Sequence, residues 1–354
     1  MRTGSGPPWV VISDYPAWPS PYFAELERHA PAELGLVFSA RLDPLVLSPG
    51  LPGVVNLHRI KRLYQGPDGR RSHEAAVAML ARLHGLRAAG WKIVWTVHNL
   101  LPIDGTAPRA VDQYAAGGVL GLADAVVTHT QADADHVRTL TTAPVTVAGW
   151  AAPTPGPGPV PAPLAALARQ MAQVPLAVLI LGNVTAYKDL PAVTDAFHRS
   201  TRTAHLFLVG PCREPDLAEE LAARAAANPR VHLHLDRVPA RAAHVLYRAA
   251  GAALCPYRAD GQWEFFTRML YPGSVATALA CGTPVIAPDL PAIREMTAGR
   301  PARLYPPQTG PGPALADAET TPTLPTTPPE PDPGARWAAI GSAYAHLART
   351  LNGP

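Results

Sequence analysis

The chain has 354 residues, of which 47% are hydrophobic and 16% are charged, and its formal net charge is +3. That length suits two globular domains of ordinary size, and the small net charge gives no indication of a nucleic-acid-binding protein. The three cysteines are widely separated in the sequence, which argues against a disulfide framework and against a zinc site.

The sequence opens without the apolar segment that is typical of a signal peptide. No apolar run approaches the about 20 residues that a membrane-spanning helix needs. We therefore expect a cytoplasmic protein without a transmembrane segment.

The first half of the chain alternates predicted strands with predicted helices. A strand, a loop and then a helix is the typical start of a doubly wound domain. The glycine-rich fingerprint of dinucleotide-binding domains is absent from that loop, which disfavours a nicotinamide dehydrogenase. The predicted strands cover residues 9–13, 36–39, 54–58, 92–97, 124–129 and 144–148, and the predicted helices cover residues 22–29, 73–89 and 131–140.

Polar residues follow several of these strands. Asp14 and Tyr15 come after the first strand, and His98 and Asn99 come at the end of a later one. Open α/β sheets bind ligands outside the carboxyl ends of their strands. We therefore predict that His98 orients a substrate or shares a proton with it. For His129, at the end of the next strand, a role in the core and a role in a site remain equally open.

The second half of the chain begins with a proline- and glycine-rich stretch at 154–163, which predicts an extended linker. Strands and helices then alternate again, which predicts a second parallel sheet. The predicted strands cover residues 176–181, 205–209, 231–235, 252–256 and 284–287, and the predicted helices include residues 215–227 and 240–249. The Pro-, Thr- and Gly-rich residues 306–334 predict a flexible linker, and residues 335–351 predict a C-terminal helix.

Two features of the second half indicate an anion-binding site. Gly273 and Ser274 open a short buried helix, with Ser274 as its predicted N-cap and Gly282 just past its end. Backbone N–H groups and the helix dipole at such a start attract anions. Lys188 lies at the start of another predicted helix, where its ammonium can pair with a diphosphate. The segment at 258–269 is either a lid or acceptor loop, or ordinary packing.

Three stretches resemble GT-B glycosyltransferases of the "glycosyl transferases group 1" family. They are KIVWTVHNLLPIDG at 92–105, LILGNVTAYKDLPAVTDAF at 179–197 and YPGSVATALACGTPVIAPDLPAIRE at 271–295. The resemblance implies an α/β protein with the GT-B fold. In that fold two doubly wound Rossmann-like domains face each other across a cleft and a C-terminal helix crosses back.

The resemblance also implies a division of the chain. We expect an acceptor-side domain at 1–153, a linker at 154–163 and a nucleotide-sugar-binding domain at 164–305. A Pro-rich flexible linker at 306–334 and the C-terminal helix at 335–354 complete the expected arrangement.

The resemblance assigns residues to the site as well. In similar enzymes the histidine that matches His98 contacts the donor sugar. The residues that it implies for the donor diphosphate are Lys188, Gly182, Asn183, Gly273, Ser274, Arg258 and Arg268. It implies Glu264, Asn99 and Thr277 for the donor sugar, Pro211 and Val238 for the base, and Tyr15 for the acceptor.

The chain departs from the family pattern at two glutamates and one arginine. The positions of the glutamates carry Met269 and Thr277, and the arginine expected shortly before Lys188 is absent. The resemblance implies that the anomeric configuration is retained. An inverting enzyme would instead need a base, and Asp14 and His98 are the catalytic candidates.

We therefore expect a glycosyltransferase of the hexosyltransferase type that moves a sugar from a GDP- or UDP-linked donor to a small-molecule acceptor in natural-product biosynthesis. The nucleotide sugar is its co-substrate, and we expect no metal, no other cofactor and no nucleic-acid partner. The oligomeric state is left open. Two alternatives remain: an envelope polysaccharide or lipid-linked glycosyltransferase, and a non-catalytic nucleotide-sugar-binding subunit.

Overall fold

The structure is a computed structural model that describes residues 7–13, 15, 17, 20–42, 52–66, 68–103, 110–321, 328–330 and 332–353. The chain divides into two compact units. The first unit consists of Met1–Trp150, Arg268–Tyr271 and Gly334–Pro354, and the second unit consists of Ala151–Thr267 and Pro272–Pro333.

The first unit is built on a parallel sheet. Its strands are β1 (Trp9–Ile12), β2 (Leu36–Ser39), β3 (Val54–Leu57), β4 (Lys92–Thr96), β5 (Ala125–Thr128) and β6 (Val145–Val147). Its helices in this part of the chain are α1 (Pro21–His29), α2 (His73–Ala88), α3 (Ala110–Leu122) and α4 (Gln131–Arg138). The strand order is β2-β1-β3-β4-β5-β6, and all neighbouring pairs are parallel.

The strands of this sheet are apolar along nearly their whole length. All four residues of β1, Trp-Val-Val-Ile, are buried, and so are the last four of β4. Continuous apolar runs of this kind are typical of parallel strands that helices cover on both faces. On one face Met79 and Leu83 of α2 and Val119 of α3 form a buried cluster with Leu57 and Trp95 of the sheet.

The second unit repeats this construction. Its strands are β7 (Ala177–Leu181), β8 (His205–Val209), β9 (Val231–His234), β10 (Ala252–Leu254), β11 (Val285–Pro288) and β12 (Ala302–Tyr305). Its helices are α5 (Ala162–Met171), α6 (Leu190–Ser200), α7 (Pro215–Ala227), α8 (Ala240–Ala249), α9 (Gly273–Ala280), α10 (Pro291–Thr297) and α11 (Gly312–Thr320). The parallel order is β12-β11-β10-β7-β8-β9, so β7 and β10 are neighbours although they are far apart in the chain.

A long C-terminal helix, α12 (Pro333–Asn352), returns to the first unit. Its Tyr344 packs edge-on against Trp9 of β1, with ring centroids 5.5 Å apart. The Tyr344 hydroxyl lies 2.9 Å from the Thr96 hydroxyl and 3.0 Å from the Tyr22 hydroxyl. The predicted return of the C-terminal helix is therefore confirmed. None of the helices in the described part of the chain is long and apolar enough to cross a bilayer.

The structure also contains helices that composition did not predict. Helix α11 lies within the predicted flexible linker at 306–334, and its Leu315 is fully buried in the core of the second unit. Helix α5 begins inside the predicted linker at 154–163. Both helices carry proline at their first or second position, where it costs no hydrogen bond. The high proline content of these segments is therefore the reason that sequence analysis missed the starts of two helices.

The segment at 258–269 packs rather than standing open. It forms the short 3-10 helix Gly261–Thr267, whose Trp263 and Phe266 are buried. Gly282 was predicted to lie just past the end of α9, and this prediction is confirmed. It follows the C-cap with a φ of 75°, a left-handed conformation that is common at this position.

Candidate active site

Three histidines stand side by side at the carboxyl edge of the first unit's sheet. His58 follows β3, His98 follows β4 and His129 follows β5, and these strands are consecutive neighbours. Gly149 follows β6, the next strand in the sheet. The carboxyl ends of parallel strands share one edge. The backbone therefore places the three imidazoles in a line, called here the histidine row.

Hydrogen bonds join the histidine row from end to end. Nδ1 of His58 lies 3.0 Å from Nε2 of His98. Nδ1 of His98 lies 3.0 Å from Nε2 of His129. Nδ1 of His129 lies 3.0 Å from the carbonyl oxygen of Gly149. Each imidazole therefore directs its Nδ1 toward the group that follows the next strand of the sheet.

The carbonyl group at the end of the row decides which nitrogens carry protons. A carbonyl oxygen only accepts, so His129 donates from Nδ1 and keeps a lone pair on Nε2. That lone pair accepts from Nδ1 of His98, whose Nε2 in turn accepts from Nδ1 of His58. All three rings are thus Nδ1–H tautomers. Nε2 of His58 is left buried without a hydrogen-bond partner among the residues that the structure describes.

The histidine row is uncharged at neutral pH. Burial lowers the pKa of His129 to about 4, against the opposing effect of its hydrogen bond to Gly149. Burial also holds the pKa values of His58 and His98 well below their usual range, and His129 and Arg59 lower both further. His58 and His129 are only 4% and 1% exposed, while His98 keeps part of its surface exposed. Of the three, His98 is therefore the residue that keeps exposed surface, and its imidazole is neutral.

Aromatic rings enclose the histidine row. Tyr22 meets the rings of His58, His98 and His129 edge-on, with centroid distances of 5.7, 4.8 and 5.8 Å. Tyr271 packs on His98 and His129 at 5.6 and 4.2 Å, and its backbone N–H donates to the His98 carbonyl at 3.1 Å. These contacts restrict the rotation of the imidazoles and keep water away from most of their surface.

The other predicted residues of the first unit lie around this edge. The side-chain oxygen of Asn99 is buried and has no hydrogen-bond partner in the described part of the chain, so it is available to a ligand hydroxyl. The Tyr15 hydroxyl donates to the Glu27 carboxylate, which together with burial raises the pKa of Tyr15 to about 12. Its acceptor role stays a prediction. Asp14 lies outside the described residues.

A buried lysine lies after β7 in the second unit. Lys188 ends the short 3-10 helix Ala186–Lys188 and is only 4% exposed. It packs against Gly182, where a Cβ atom would lie 3.4 Å from Nζ, and its charge acts on the thiol of Cys255. Among the described residues, no carboxylate or hydrogen-bond acceptor pairs with the ammonium of this lysine.

The surroundings of Lys188 favour its neutral form. Burial lowers the pKa of its ammonium from 10.5 to about 8. The nearby Cys255 does not balance the charge, because burial raises the pKa of its thiol to about 11. A buried cation without a partner is costly in free energy. A bound anion would therefore be stabilised by the charged lysine, and the anion would in turn favour the ammonium form of Lys188.

Helix α9 begins close to the same thiol. The hydroxyl of Ser274 bonds to the Cys255 thiol and lies 2.8 Å from the Tyr257 hydroxyl. The predicted N-cap role of Ser274 was wrong, because Pro272 occupies the cap and Gly273 is already helical. The N–H groups of this first turn lack intrahelical acceptors, as in every helix. Lys188 and the start of α9 thus flank one thiol and present positive charge and N–H donors together.

The ends of β7 and β8 approach each other closely. A Cβ atom on Gly210 would lie 2.3 Å from the Gly182 carbonyl oxygen, and both residues have positive φ, 134° and 117°. Only glycine fits at this contact. Asn183 is exposed, the Pro211 carbonyl accepts a backbone N–H at 2.9 Å, and Val238 is half-buried. Their roles in binding a donor stay predictions.

The two arginines proposed for the diphosphate have different surroundings. The guanidinium of Arg258 bonds to Asp260 at 2.8 Å, lies 3.9 Å from Asp189 and stacks over Trp263 at 4.8 Å. Its charge is therefore already balanced. Arg268 is exposed, in a short segment that belongs to the first unit.

Part of the chain matches a known protein family, and its structure is similar to solved structures. Residues 175–319 match the family model described as Glycosyl transferases group 1. The structure is similar to HepE of Anabaena in complex with UDP, at 16% identity over 97% of this chain and 98% of that chain, with a TM-score of 0.61. No curated protein sequence matches the chain.

Two further solved structures are similar. The E. coli trehalose-6-phosphate protein bound with UDP-2-fluoro glucose is 14% identical over 97% of this chain and 79% of that chain, with a TM-score of 0.56. AviGT4, a glycosyltransferase involved in avilamycin A biosynthesis, is 19% identical over 98% of both chains, with a TM-score of 0.52. Residues 175–319 thus match a glycosyltransferase family, and the chain has the fold of GT-B glycosyltransferases.

The two parallel six-stranded sheets with flanking helices confirm the predicted α/β class and the GT-B fold. Apart from the short segment Arg268–Tyr271, the family match lies within the second unit, which holds Lys188 and α9. There a buried cation and a helix start are suited to stabilise the negative charge of a leaving group. Among the described residues, no cluster of three or more His, Cys, Asp or Glu side chains is arranged to hold a metal ion.

The positions at which the family resemblance predicts two glutamates carry no carboxylate in this chain. Met269 is part of the buried core of the first unit. The hydroxyl of Thr277 donates to the Gly273 carbonyl at 2.9 Å within α9. Glu264 is exposed on its 3-10 helix, and its assignment to the donor sugar stays a prediction.

Sequence reasoning missed His58 and left His129 undecided. The signal was present, because each of the three histidines follows its strand by one or two residues. Recognising the row also requires the strand order, which places β3, β4 and β5 side by side.

Proposed function

We propose that this glycosyltransferase moves a sugar from a UDP- or GDP-linked donor to a small-molecule acceptor in natural-product biosynthesis. The observation that carries the proposal is the buried Lys188, which has no partner among the described residues and acts on the same Cys255 thiol as Ser274 at the start of α9. A cation and a helix start are suited to a diphosphate. HepE was solved with UDP and the E. coli protein with a UDP-sugar, which supports UDP as the first nucleotide to test. The likeness to AviGT4 supports a role in natural-product biosynthesis.

In this proposal the bond between the anomeric carbon and the diphosphate breaks while the acceptor oxygen bonds to that carbon. The departing diphosphate gains negative charge, which Lys188 and the first-turn N–H groups of α9 neutralise. The acceptor hydroxyl gives its proton to the departing phosphate oxygen. We further propose that the anomeric configuration is retained and that no metal takes part.

The proposal is tested by the release of nucleoside diphosphate from UDP- and GDP-sugars in the presence of a panel of hydroxylated acceptors. The wild type should release UDP or GDP only when a matching acceptor is present. Lys188→Met should lower the rate by about two orders of magnitude or more, because it removes the cation that stabilises the leaving group. Lys92→Met, the same change at the start of β4 in the first unit, should leave the rate near that of the wild type.

Loss of activity in Lys188→Met is separable from unfolding. Because burial lowers the lysine pKa from 10.5 to about 8, the native state stabilises the charged form less well than the unfolded state does. Methionine removes that penalty, which corresponds to at most about 3 kcal/mol at neutral pH. The unliganded variant should therefore unfold at the same temperature as the wild type or at a higher one. Equal release of nucleotide by this variant and the wild type would refute the proposed diphosphate site.

The stereochemical proposal has its own measurement. The product anomer is assigned from NMR coupling constants and compared with the anomer of the donor. Retention of the anomeric configuration is expected. An inverted product would mean that a base acts on the acceptor, and it would refute the proposed proton transfer from the acceptor hydroxyl to the departing phosphate oxygen.

A second candidate is a non-catalytic nucleotide-sugar-binding subunit. It is favoured by Met269 and Thr277, which stand where the family pattern has glutamates. Such a subunit would bind UDP or GDP with the same dependence on Lys188 but would release no nucleotide with any acceptor. Turnover and binding, measured on one preparation, separate the two candidates.

A further inference from the structure

His98 has no free ring nitrogen in the structure. Its Nδ1 is bonded to His129 and its Nε2 to His58, each at 3.0 Å. A ligand hydroxyl therefore bonds to the His98 ring only if one of these two hydrogen bonds is exchanged. The two histidine neighbours are not equivalent, and their difference decides which bond gives way.

His129 is held at both ring nitrogens, by His98 and by the Gly149 carbonyl. The Gly149 carbonyl lies on a residue with a φ of 85°, a left-handed conformation that glycine adopts without strain. His58 is held at one nitrogen only, and its Nε2 is buried without a hydrogen-bond partner in the described residues. His129 is thus the fixed end of the row and His58 the loosely held end.

We propose that His129 is a positioning residue that holds His98 as the Nδ1–H tautomer, and that a sugar hydroxyl replaces His58 as the donor to Nε2 of His98. This inference rests on the proposed function for the identity of the ligand. The exchange replaces one hydrogen bond to the neutral Nε2 of His98 by another. His98 then acts as a hydrogen-bond acceptor toward the sugar.

The tautomer matters because the opposite one reverses the role of His98. With the proton on Nε2, His98 would donate to the sugar hydroxyl, and its Nδ1 lone pair would face the lone pair on Nε2 of His129. The Gly149 carbonyl prevents this arrangement, because it keeps the proton of His129 on Nδ1.

The first test is direct observation of the tautomer. The full-length protein is labelled with ¹⁵N in its histidines, and the His98 resonances are assigned by comparison with His98→Gln. The wild type should show a protonated Nδ1 and an unprotonated Nε2 in His98. A protonated Nε2 in the folded wild type would overturn the proposal without any activity measurement.

The second test compares two matched variants. His129→Phe and His58→Phe each replace a buried histidine of the row by an aromatic ring of similar size, and each removes one hydrogen bond to His98. His129→Phe should allow His98 to adopt either tautomer, and it should lower kcat by at least about tenfold. His58→Phe should keep the tautomer and lower KM for the nucleotide sugar, because the competing donor is gone.

His129→Gln provides the rescue, since its amide oxygen can accept from Nδ1 of His98. It should restore the tautomer and recover part of kcat. An unchanged kcat in His129→Phe, or a raised KM in His58→Phe, would overturn the proposal. Binding of UDP alone, which lacks the sugar, reports separately on the diphosphate site. If UDP fails to bind while the tautomer is as expected, the proposed function has failed and the positioning by His129 has not.

Discussion

In the proposed diphosphate site, Lys188 should make nucleotide binding depend on pH in a range where the phosphates of the nucleotide are already ionised. Its pKa is lowered from 10.5 to about 8 by burial, so the unliganded protein loses this proton above about pH 8. A bound diphosphate favours the ammonium form, and binding above that pH therefore takes up a proton. The dissociation constant for UDP should be level below about pH 8 and should then rise by up to about tenfold per pH unit.

Calorimetric titration of UDP between about pH 7.5 and about pH 9.5 measures this dependence. Repeating the titration in two buffers with different ionisation enthalpies counts the protons taken up. Lys188→Arg is the control, because a guanidinium stays charged across this range and should give a level profile. A level profile for the wild type, or the same slope in the arginine variant, would show that the titrating group is not Lys188.

At the residue scale, sequence alone predicts the members of the site that stand in recognisable motifs. His98 and Lys188 each follow a strand end within a family-like stretch, and the structure gives each of them special surroundings. The burial of Lys188 with no acidic partner among the described residues was not predictable from sequence. It depends on the three-dimensional packing that brings Gly182 and Cys255 near the lysine. Ser274 was wrongly predicted as the N-cap, because the helix begins two residues earlier than predicted, with Pro272 as its cap, and Ser274 therefore lies in the first turn.

At the element scale, α12 depends on a close contact with α1. A Cβ atom on Gly341 would lie 2.9 Å from Cα of Ala30, 3.2 Å from the His29 carbonyl oxygen and 3.2 Å from Cδ of Pro31. Two of these atoms are backbone and cannot move aside alone. Gly341→Ala should therefore destabilise the first unit by about 1–3 kcal/mol, measured as a lower denaturant midpoint.

Gly85→Ala is the matched control in α2. No heavy atom lies within 4 Å of a Cβ atom at this exposed helical position. Alanine should stabilise the helix here by roughly 0.5–1 kcal/mol. The proposed packing of α12 would be contradicted if both alanine variants were stabilised alike.

Element prediction succeeds where hydrophobic pattern dominates and fails where composition misleads. The apolar runs of β1, β4 and β7 mark strands whose bounds agree with prediction to within a residue or two. Helices α5 and α11 were missed because proline-rich surroundings suggested linkers, although proline is well tolerated in a first helical turn. Short apolar patterns such as Leu315 with its neighbours are too brief to outweigh that composition.

At the scale of the whole molecule, binding of the right nucleotide should raise the stability of the folded chain. A ligand at about a hundred times its dissociation constant adds about 2.7 kcal/mol to the free energy of unfolding. The gain should be largest for the second unit, which holds both Lys188 and α9. The two parallel sheets and the GT-B fold were predictable from the repeated βα pattern together with the family resemblance. The identity of the sugar and acceptor is not encoded in any such pattern.

The central claim is that Lys188 and the start of α9 form a diphosphate site. It is tested most directly by calorimetric titration of UDP and GDP into the wild type, Lys188→Met and Lys92→Met at neutral pH. The account predicts saturable binding of one nucleotide to the wild type and to Lys92→Met. It also predicts a loss of at least about 2 kcal/mol of binding free energy in Lys188→Met. Equal affinity of the wild type and Lys188→Met, or no binding of either nucleotide to the folded wild type, would contradict it.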